Sequence, residues 1–114
     1  MGLDMYLYSG DDQVGYWRKA NAIHRWFVAN VQDGKDDCGS YPVTREQIGN
    51  LLELVERVLE YPSMASTLLP TRAGFFFGST EYGEWYMSDL EDTRETLRDV
   101  LNLHQTEFTY YASW

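Results

Sequence analysis

The chain has 114 residues, of which 44% are hydrophobic, and carries a formal net charge of −9 at pH 7. This length is enough for a single domain spanning residues 1–114, and the apolar content excludes a disordered chain. The acidic charge excludes electrostatic binding to a nucleic acid polymer, because such binding depends on neutralising phosphates.

The first predicted element is a strand, because apolar and polar residues alternate from Leu3 to Tyr8. A polar connection rich in turn-forming residues follows from Ser9 to Gly15. The period then changes, and an apolar stripe at helical spacing predicts a first helix from Tyr16 to about Val31. The stripe consists of Tyr16, Ala20, Ile23, Phe27 and Val31.

A second helix is predicted after a loop that extends from Asp33 to Pro42. Thr44 followed by Gln47 matches a capping box, in which two side chains satisfy free main-chain N–H groups at a helix start. The helix ends near Tyr61, because a proline follows and cannot continue it. Its apolar face consists of Ile48, Leu51, Leu52, Val55 and Leu59.

The C-terminal part of the chain completes the predicted fold. The segment GFFFG, residues 74–78, predicts a short buried strand, and a third helix begins near Glu84. A last strand is predicted from Thr106 to Trp114, where aromatic residues alternate with other residues. The order β-α-α-β-α-β indicates an α+β domain. Its small antiparallel sheet pairs the N- and C-terminal strands and is packed by three helices.

The charge is unevenly distributed along the chain. Residues 13–32 contain no Asp or Glu, yet Arg18, Lys19 and Arg25 lie there, while all 18 acidic residues lie elsewhere. A short basic segment in an acidic protein favours a small anion over a long polymer as the ligand.

This basic segment is the first candidate site. Gly15 permits an unusual backbone conformation at the predicted helix start, where free N–H groups favour an anion. Flat rings beside the cations suit stacking on a base or a sugar. The alternative is an ordinary packed helix with a solvated basic face and a hydrogen-bonded histidine. The candidate residues are Arg18, Lys19 and Arg25 for phosphates, Tyr16 and Trp17 for stacking, and Asn21 and His24 for orientation.

The second candidate site is the segment GSTEYGEW, residues 78–85. Gly78 permits a close approach of the backbone, Ser79 and Thr80 supply hydroxyl groups, and Tyr82 and Trp85 supply aromatic surface. Loops that follow strands often carry function. The alternative is a core strand followed by a turn into the third helix, and for the three phenylalanines themselves we favour this core role.

Other chemistries lack the residues that they need. The acid-rich loop starting at Asp33 has Thr44 where a calcium loop requires a glutamate. Two histidines and the single Cys38 are a poor set of zinc ligands, and a lone cysteine is usually inert. Phosphate-binding, dinucleotide-binding and nucleophile-elbow motifs do not occur. We therefore expect neither a metal nor a cofactor.

Membrane insertion and secretion are not expected. No apolar run approaches the roughly 20 residues that a membrane-spanning helix needs, and the N-terminal residues MGLDMYLYSG do not resemble a signal peptide. A single cysteine cannot form an internal disulfide. These features predict a cytoplasmic protein.

Several blocks resemble a family of small, largely uncharacterised bacteriophage and prophage proteins. These blocks are MGLDMYLY, VGYWRKANAIHRWF, DDCG, LLPTRAGFFFGSTEY and YASW, in order over nearly the whole length. The resemblance implies that the protein works in the cytoplasm of a host bacterium. Small acidic phage accessory proteins often act against host defences, either by sequestering nucleotide signals or by blocking a host protein.

The leading hypothesis is a phage accessory protein that binds a small anionic, nucleotide-like ligand without turning it over. It assumes that the two candidate sites meet in one pocket. The alternative is an inhibitor of a host protein that acts through its acidic surface, including Glu91, Asp92 and Glu95. A small hydrolase with His24 as its base ranks last, because no nucleophile or metal set is visible. The aromatic content also suits a homodimer or a larger homo-oligomer.

Overall fold

The computed structural model describes residues 2–73 and 79–114. The strand predicted for residues 74–78 therefore lies outside the described residues. The elements are β1 (Asp4–Ser9), β2 (Asp12–Arg18), α1 (Asn21–Asn30), β3 (Ser40–Thr44), α2 (Arg45–Glu60), a 3-10 turn (Pro62–Met64), α3 (Ala65–Leu68), α4 (Glu84–Leu101) and β4 (Glu107–Ser113). The fold is of the α+β class.

Four strands form one sheet in the order β2-β1-β4-β3, and each neighbouring pair is antiparallel. The central pair joins the two ends of the chain, with Met5 opposite Ala112 and Leu7 opposite Tyr110. The predicted pairing of the N- and C-terminal strands is confirmed. Antiparallel pairing lets the sheet bury one face and leave the other face open.

The prediction that the first helix begins at Tyr16 was wrong, because α1 begins at Asn21. The chain turns at Gly10, whose φ is 61°, and returns as strand β2 beside β1, so that Tyr16 lies opposite Tyr6. A glycine at the first position of a two-residue turn is typical of a tight hairpin. The residues spaced like a helix between Tyr16 and Ala20 belong to a strand and its end, because pairing with β1 outweighs the local pattern.

Strand β3 was also missed, because the predicted loop from Asp33 to Pro42 covers most of it. This strand lies at the edge of the sheet and pairs with β4 alone. An edge strand accommodates Pro42, which lacks a main-chain N–H. The proline and the polar residues around it therefore concealed a strand that only tertiary pairing stabilises.

The other helices follow the local patterns. Thr44 and Gln47 form both hydrogen bonds of the capping box at the start of α2, and this helix ends at Glu60, just before Pro62. Helix α4 begins at Glu84, as the pattern predicted. The three longer helices, α1, α2 and α4, supply most of the helical part of the core.

The two faces of the sheet differ because side chains alternate along each strand. On the inner face Met5, Leu7 and Tyr110 are fully buried, and Phe27 of α1 stacks on Tyr110 with ring centroids 3.9 Å apart. The outer face carries four neighbouring tyrosine rings. These rings are Tyr6, Tyr8, Tyr16 and Tyr111.

Candidate functional site

A cavity of about 270 Å³ lies where the end of β2, the start of α1 and the first turns of α4 meet. Three parts of the chain form its walls. The first wall is the stretch from Arg18 to Ile23, the second is Trp85, Tyr86, Asp89 and Leu90 of α4, and the third is Thr71, Ser79 and Glu81. The structure thus brings the basic segment and part of the second candidate segment together, although they are about 60 residues apart in the chain.

Lys19 occupies the junction between β2 and α1 in a left-handed conformation, with φ 56°. Its main-chain N–H donates to the carbonyl of Leu3 at 2.7 Å, and its carbonyl accepts from the N–H of Asn21 at 2.9 Å. A non-glycine residue in this region of conformational space is uncommon and is stabilised by its surroundings. These two hydrogen bonds place the start of α1 in the wall of the cavity.

The start of α1 is suited to an anion. Ala20 stands at the position before the helix and has no side-chain acceptor for the first N–H groups. The first turn contains no acidic residue. The positive end of the helix dipole therefore belongs to the wall of the cavity, and no acidic side chain in the first turn of α1 offsets it.

Arg18 lies at the rim of the cavity and is oriented by an ion pair on the outer face of the sheet. Its Nη1 donates to Asp4 Oδ1 at 3.0 Å, and Tyr16 Oη donates to the same oxygen at 2.6 Å. The tyrosine hydrogen bond, more than the arginine, lowers the pKa of the Asp4 carboxyl. Because Asp4 neutralises part of the arginine charge, Lys19 is the more available cation at the rim.

Asn21 holds the chain on both sides of residues 74–78. Its Oδ1 accepts from the main-chain N–H of Arg72 at 3.0 Å, and its Nδ2 donates to the carbonyl of Ser79 at 2.7 Å. Thr71 adds a second tie, because its Oγ1 donates to the carbonyl of Thr80 at 2.9 Å. Asn21 is buried, lines the cavity and bonds these main-chain groups, and its predicted orientation of a ligand stays a prediction.

Trp85 and Asp89 form the outer part of the α4 wall and lie four residues apart, on the same side of the helix. The Trp85 side chain is 82% exposed, which is unusual for a residue of its size. Asp89 is half-buried, and this burial, assisted by repulsion from Asp92, raises the pKa of its carboxyl to about 6. Tyr86 is buried beneath them and donates its hydroxyl to the carbonyl of Leu69 at 2.7 Å.

Sequence reasoning missed Asp89 and Thr71 as residues of the cavity, whereas Glu81 lies within the predicted segment 78–85. Asp89 belongs to an acid-rich helix, in which the sequence pattern drew attention only to Glu91, Asp92 and Glu95, as part of an acidic surface. Its position four residues after Trp85, one turn along the same helical face, was the feature that could have indicated it.

Several predicted residues lie elsewhere. Tyr16 is on the outer face of the sheet, and Trp17 is in the core, where its Nε1 donates to Thr93 Oγ1 at 2.8 Å. Both lie on strand β2 and not on the predicted helix. Arg25 is exposed on α1 outside the walls of the cavity.

The remaining predicted residues of the second segment divide in the same way. Ser79 and Trp85 line the cavity, whereas Thr80 and Tyr82 do not. The Tyr82 hydroxyl accepts from the N–H of Thr71 at 3.1 Å. Gly78 lies outside the described residues.

His24 is part of a buried hydrogen-bond chain outside the cavity. Its Nδ1 lies 2.7 Å from Tyr110 Oη, and its Nε2 lies 2.8 Å from Asp36 Oδ1. Burial lowers the pKa of the imidazole, although the bond to Asp36 opposes this effect. A histidine that is 1% exposed and bonded at both ring nitrogens is poorly placed to activate water for a hydrolase.

Within residues 2–73 and 79–114, no group of three or more His, Cys, Asp or Glu residues is arranged to hold a metal ion. None of the helices in this part of the chain is long and apolar enough to span a membrane. Comparisons of the chain with protein-family models, with curated proteins and with solved structures found no match.

Proposed function

We propose that the cavity binds a small phosphate-bearing ligand of about mononucleotide size and holds it without chemical turnover. One observation carries the proposal: a single cavity combines the uncapped start of α1, two cations and an exposed tryptophan. A nucleotide has the complementary groups, because it joins an anionic phosphate to a flat base.

The phosphate would lie against the start of α1. There the N–H groups of the first turn, the helix dipole and the ammonium group of Lys19 all favour negative charge. A hydrogen bond to a charged group contributes about 1.5–3 kcal/mol when it is well formed. The wider acidity of the chain weakens this attraction, so the site suits a small anion that needs only local contacts.

The base would stack on Trp85, at the other side of the cavity. Stacking of a base on an aromatic side chain contributes about 1–3 kcal/mol and accounts for the exposure of a large apolar ring. The volume of about 270 Å³ is close to the lower end of small-molecule sites, about 300–1,000 Å³. This size favours a mononucleotide over a cyclic oligonucleotide.

Exchange of the cation at the rim tests the phosphate contact. We expect Lys19→Gln to weaken the binding of a nucleoside monophosphate about tenfold or more, measured by isothermal titration calorimetry. Arg25→Gln is the matched control, because it removes the same charge from α1 outside the cavity. Equal losses in the two variants would show that only the total charge matters, and would contradict the proposed phosphate position.

The base contact has an optical readout. A nucleotide stacked on Trp85 should quench the tryptophan fluorescence, and Trp85→Ala should remove this quenching and weaken binding about tenfold. If wild-type protein at micromolar concentration binds none of the common mononucleotides, the proposed function is wrong.

A second candidate is inhibition of a host protein through the acidic surface. It is supported by a row of exposed acids on α4, at Glu91, Asp92 and Glu95. Reversal of these three charges to lysine should not weaken nucleotide binding if the cavity is the functional site. The role against host defences implied by the phage resemblance stays a prediction.

A further inference from the structure

Asp89 is the polar group of the cavity whose presence the fold does not explain. It is half-buried on α4, and its main-chain carbonyl accepts from Thr93 Oγ1 at 2.6 Å. Across the described residues, no hydrogen bond or ion pair reaches its carboxylate oxygens. Asp89 lines the cavity, and none of the other described residues bonds its carboxylate oxygens.

This arrangement costs the folded protein stability. Burial and the nearby charge of Asp92 both disfavour the ionised form of Asp89, and no cation in residues 2–73 or 79–114 offsets these two effects. If position 89 had a purely structural role, an amide or an apolar side chain would make the folded protein more stable than a carboxylate does. A disfavoured carboxylate in a cavity is typical of a group that meets its partner only when a ligand binds.

The positions of Asp89 and Trp85 determine which part of the ligand Asp89 meets. The two residues are one helical turn apart, with side chains about 5–6 Å apart at the Cβ atoms in such a pair. A base lying on the Trp85 ring would present its edge to the Asp89 carboxylate. The phosphate would extend toward Lys19 at the opposite wall, so the edge facing Asp89 is the one remote from the sugar.

A carboxylate only accepts hydrogen bonds, and its two oxygens suit two adjacent donors. Guanine has such a pair on one edge, the ring N1–H and the exocyclic amino group. Adenine and cytosine place a ring acceptor beside their amino group, and uracil flanks its ring N–H with two carbonyl acceptors, so each would meet repulsion. From this geometry we propose that Asp89 is the specificity-determining residue of the cavity and selects guanine nucleotides.

This inference rests on the proposed nucleotide site, and it has a consequence for pH. The ionised carboxylate is the form that matches guanine, so the preference for guanine should be full at pH 7.5 and should decline toward pH 5. Other titratable and charged groups face or adjoin the same space. These groups are Arg18 and Lys19 at the end of β2, Glu81 before α4, and Tyr86 and Asp92 on α4.

Replacing the Asp89 carboxylate by an amide tests the inference, because it changes which base the side chain can bind. Wild-type protein should bind GMP at least tenfold more tightly than AMP at pH 7.5, measured by titration calorimetry. Asp89→Asn replaces one acceptor by a donor, which matches xanthine, whose ring N1–H adjoins a carbonyl oxygen. The variant should lose at least tenfold in GMP affinity and bind XMP more tightly than wild type does, and a merely structural residue would not produce this exchange.

Glu91→Gln is the control, because it makes the same acid-to-amide exchange at an exposed position of the same helix outside the cavity walls and should keep the GMP preference. If wild-type protein binds GMP and AMP equally, and Asp89→Asn changes neither affinity, the role of Asp89 is overturned while the nucleotide site stands. If no mononucleotide binds to wild-type protein, both the site and the role of Asp89 are overturned.

Discussion

At the scale of a single residue, the hydrogen bonds of His24 determine which of its two ring nitrogens carries the proton. The Asp36 carboxylate accepts only, so the histidine Nε2 must carry the proton and donate to it. The Nδ1 lone pair then accepts from the hydroxyl of Tyr110, which is fully buried. The Nε1–H of Trp114 donates to the same Asp36 oxygen at 3.1 Å, and this hydrogen bond connects residue 114 to the loop after α1. The histidine is thus structural.

Removal of the Tyr110 hydroxyl should destabilise the fold. Tyr110→Phe leaves the Nδ1 of His24 without its donor in a buried position, and we expect a loss of about 1–3 kcal/mol in the free energy of unfolding. Urea denaturation measures this change. The neighbouring Tyr111 lies on the outer face, and Tyr111→Phe should change stability by less than about 0.5 kcal/mol. Similar losses in both variants would contradict the buried bond.

Asp89 should make stability depend on pH. Its carboxyl has a pKa of about 6 in the folded state, compared with the ordinary value of 3.8, so the folded state binds the proton more tightly. The stability that this group contributes is therefore fully present below pH 3.8 and is lost as the pH rises through about 6.

Asp89→Asn should consequently increase stability at neutral pH. We expect a gain of about 1 kcal/mol at pH 7.5, a value reduced because the side chain is partly solvated, and almost no gain at pH 3.5. Urea denaturation of variant and wild type at both pH values measures the difference. A gain that is the same at both pH values would show that ionisation of Asp89 is not its cause.

At the scale of elements, the packing of α4 on β2 depends on a glycine. A Cβ atom added to Gly15 would lie 3.0 Å from Thr96 Cγ2 and 3.3 Å from Leu7 Cβ. Gly15 was predicted to permit an unusual backbone at a helix start. It lies within β2 instead, and the structure requires its small size for a close approach of helix and strand.

Two glycine substitutions should therefore have opposite effects. Gly15→Ala should lower the free energy of unfolding by about 1–3 kcal/mol, because neighbouring atoms must move. Gly49 lies inside α2 with open space at its Cβ position, so Gly49→Ala should raise stability by about 0.5–1 kcal/mol. Thermal unfolding of both variants measures the two signs, and destabilisation by Gly49→Ala would contradict the assigned environment.

At the scale of the whole molecule, the open face of the sheet is the surface best suited to the predicted homo-oligomer. Four tyrosine rings adjoin one another there, and Asp4 on this face is neutralised by Arg18. The exposed acids of α2 and α4 lie on helices, which cover the inner face. Two copies of a chain with net charge −9 would therefore meet with least repulsion through the outer face.

A charge at the centre of this face should prevent the association. Tyr6 contacts the other three rings, and Tyr6→Glu should convert a homodimer to a 13.3 kDa monomer in sedimentation velocity. Tyr61→Glu, at an exposed position after α2, is the control and should leave the dimer intact. Wild-type protein that sediments as a monomer at all concentrations would contradict the predicted dimer.

Much of the fold could be predicted because its determinants act between residues close in the chain. The capping box of Thr44 and Gln47 specifies the start of α2, and alternation over six or seven residues specifies β1 and β4. The pairing of the terminal strands followed from their need to bury an apolar face. The same reasoning failed for β2, where the apolar residues from Tyr16 to Ala20 also match a helical stripe.

By itself, the sequence determined the fold class, the main helices, the terminal strands and the acid-free basic segment, because these properties depend on local pattern and composition. Only the tertiary structure decided that β2 and β3 are strands. Strand β2 pairs with its neighbour β1 although its residues also match a helical stripe, and the partner of β3 is the distant strand β4. It also decided which candidate residues share a cavity. Asp89 shows the reason: an aspartate is one acid among 18 until packing buries its carboxylate beside Trp85 and leaves it without a partner from the described residues.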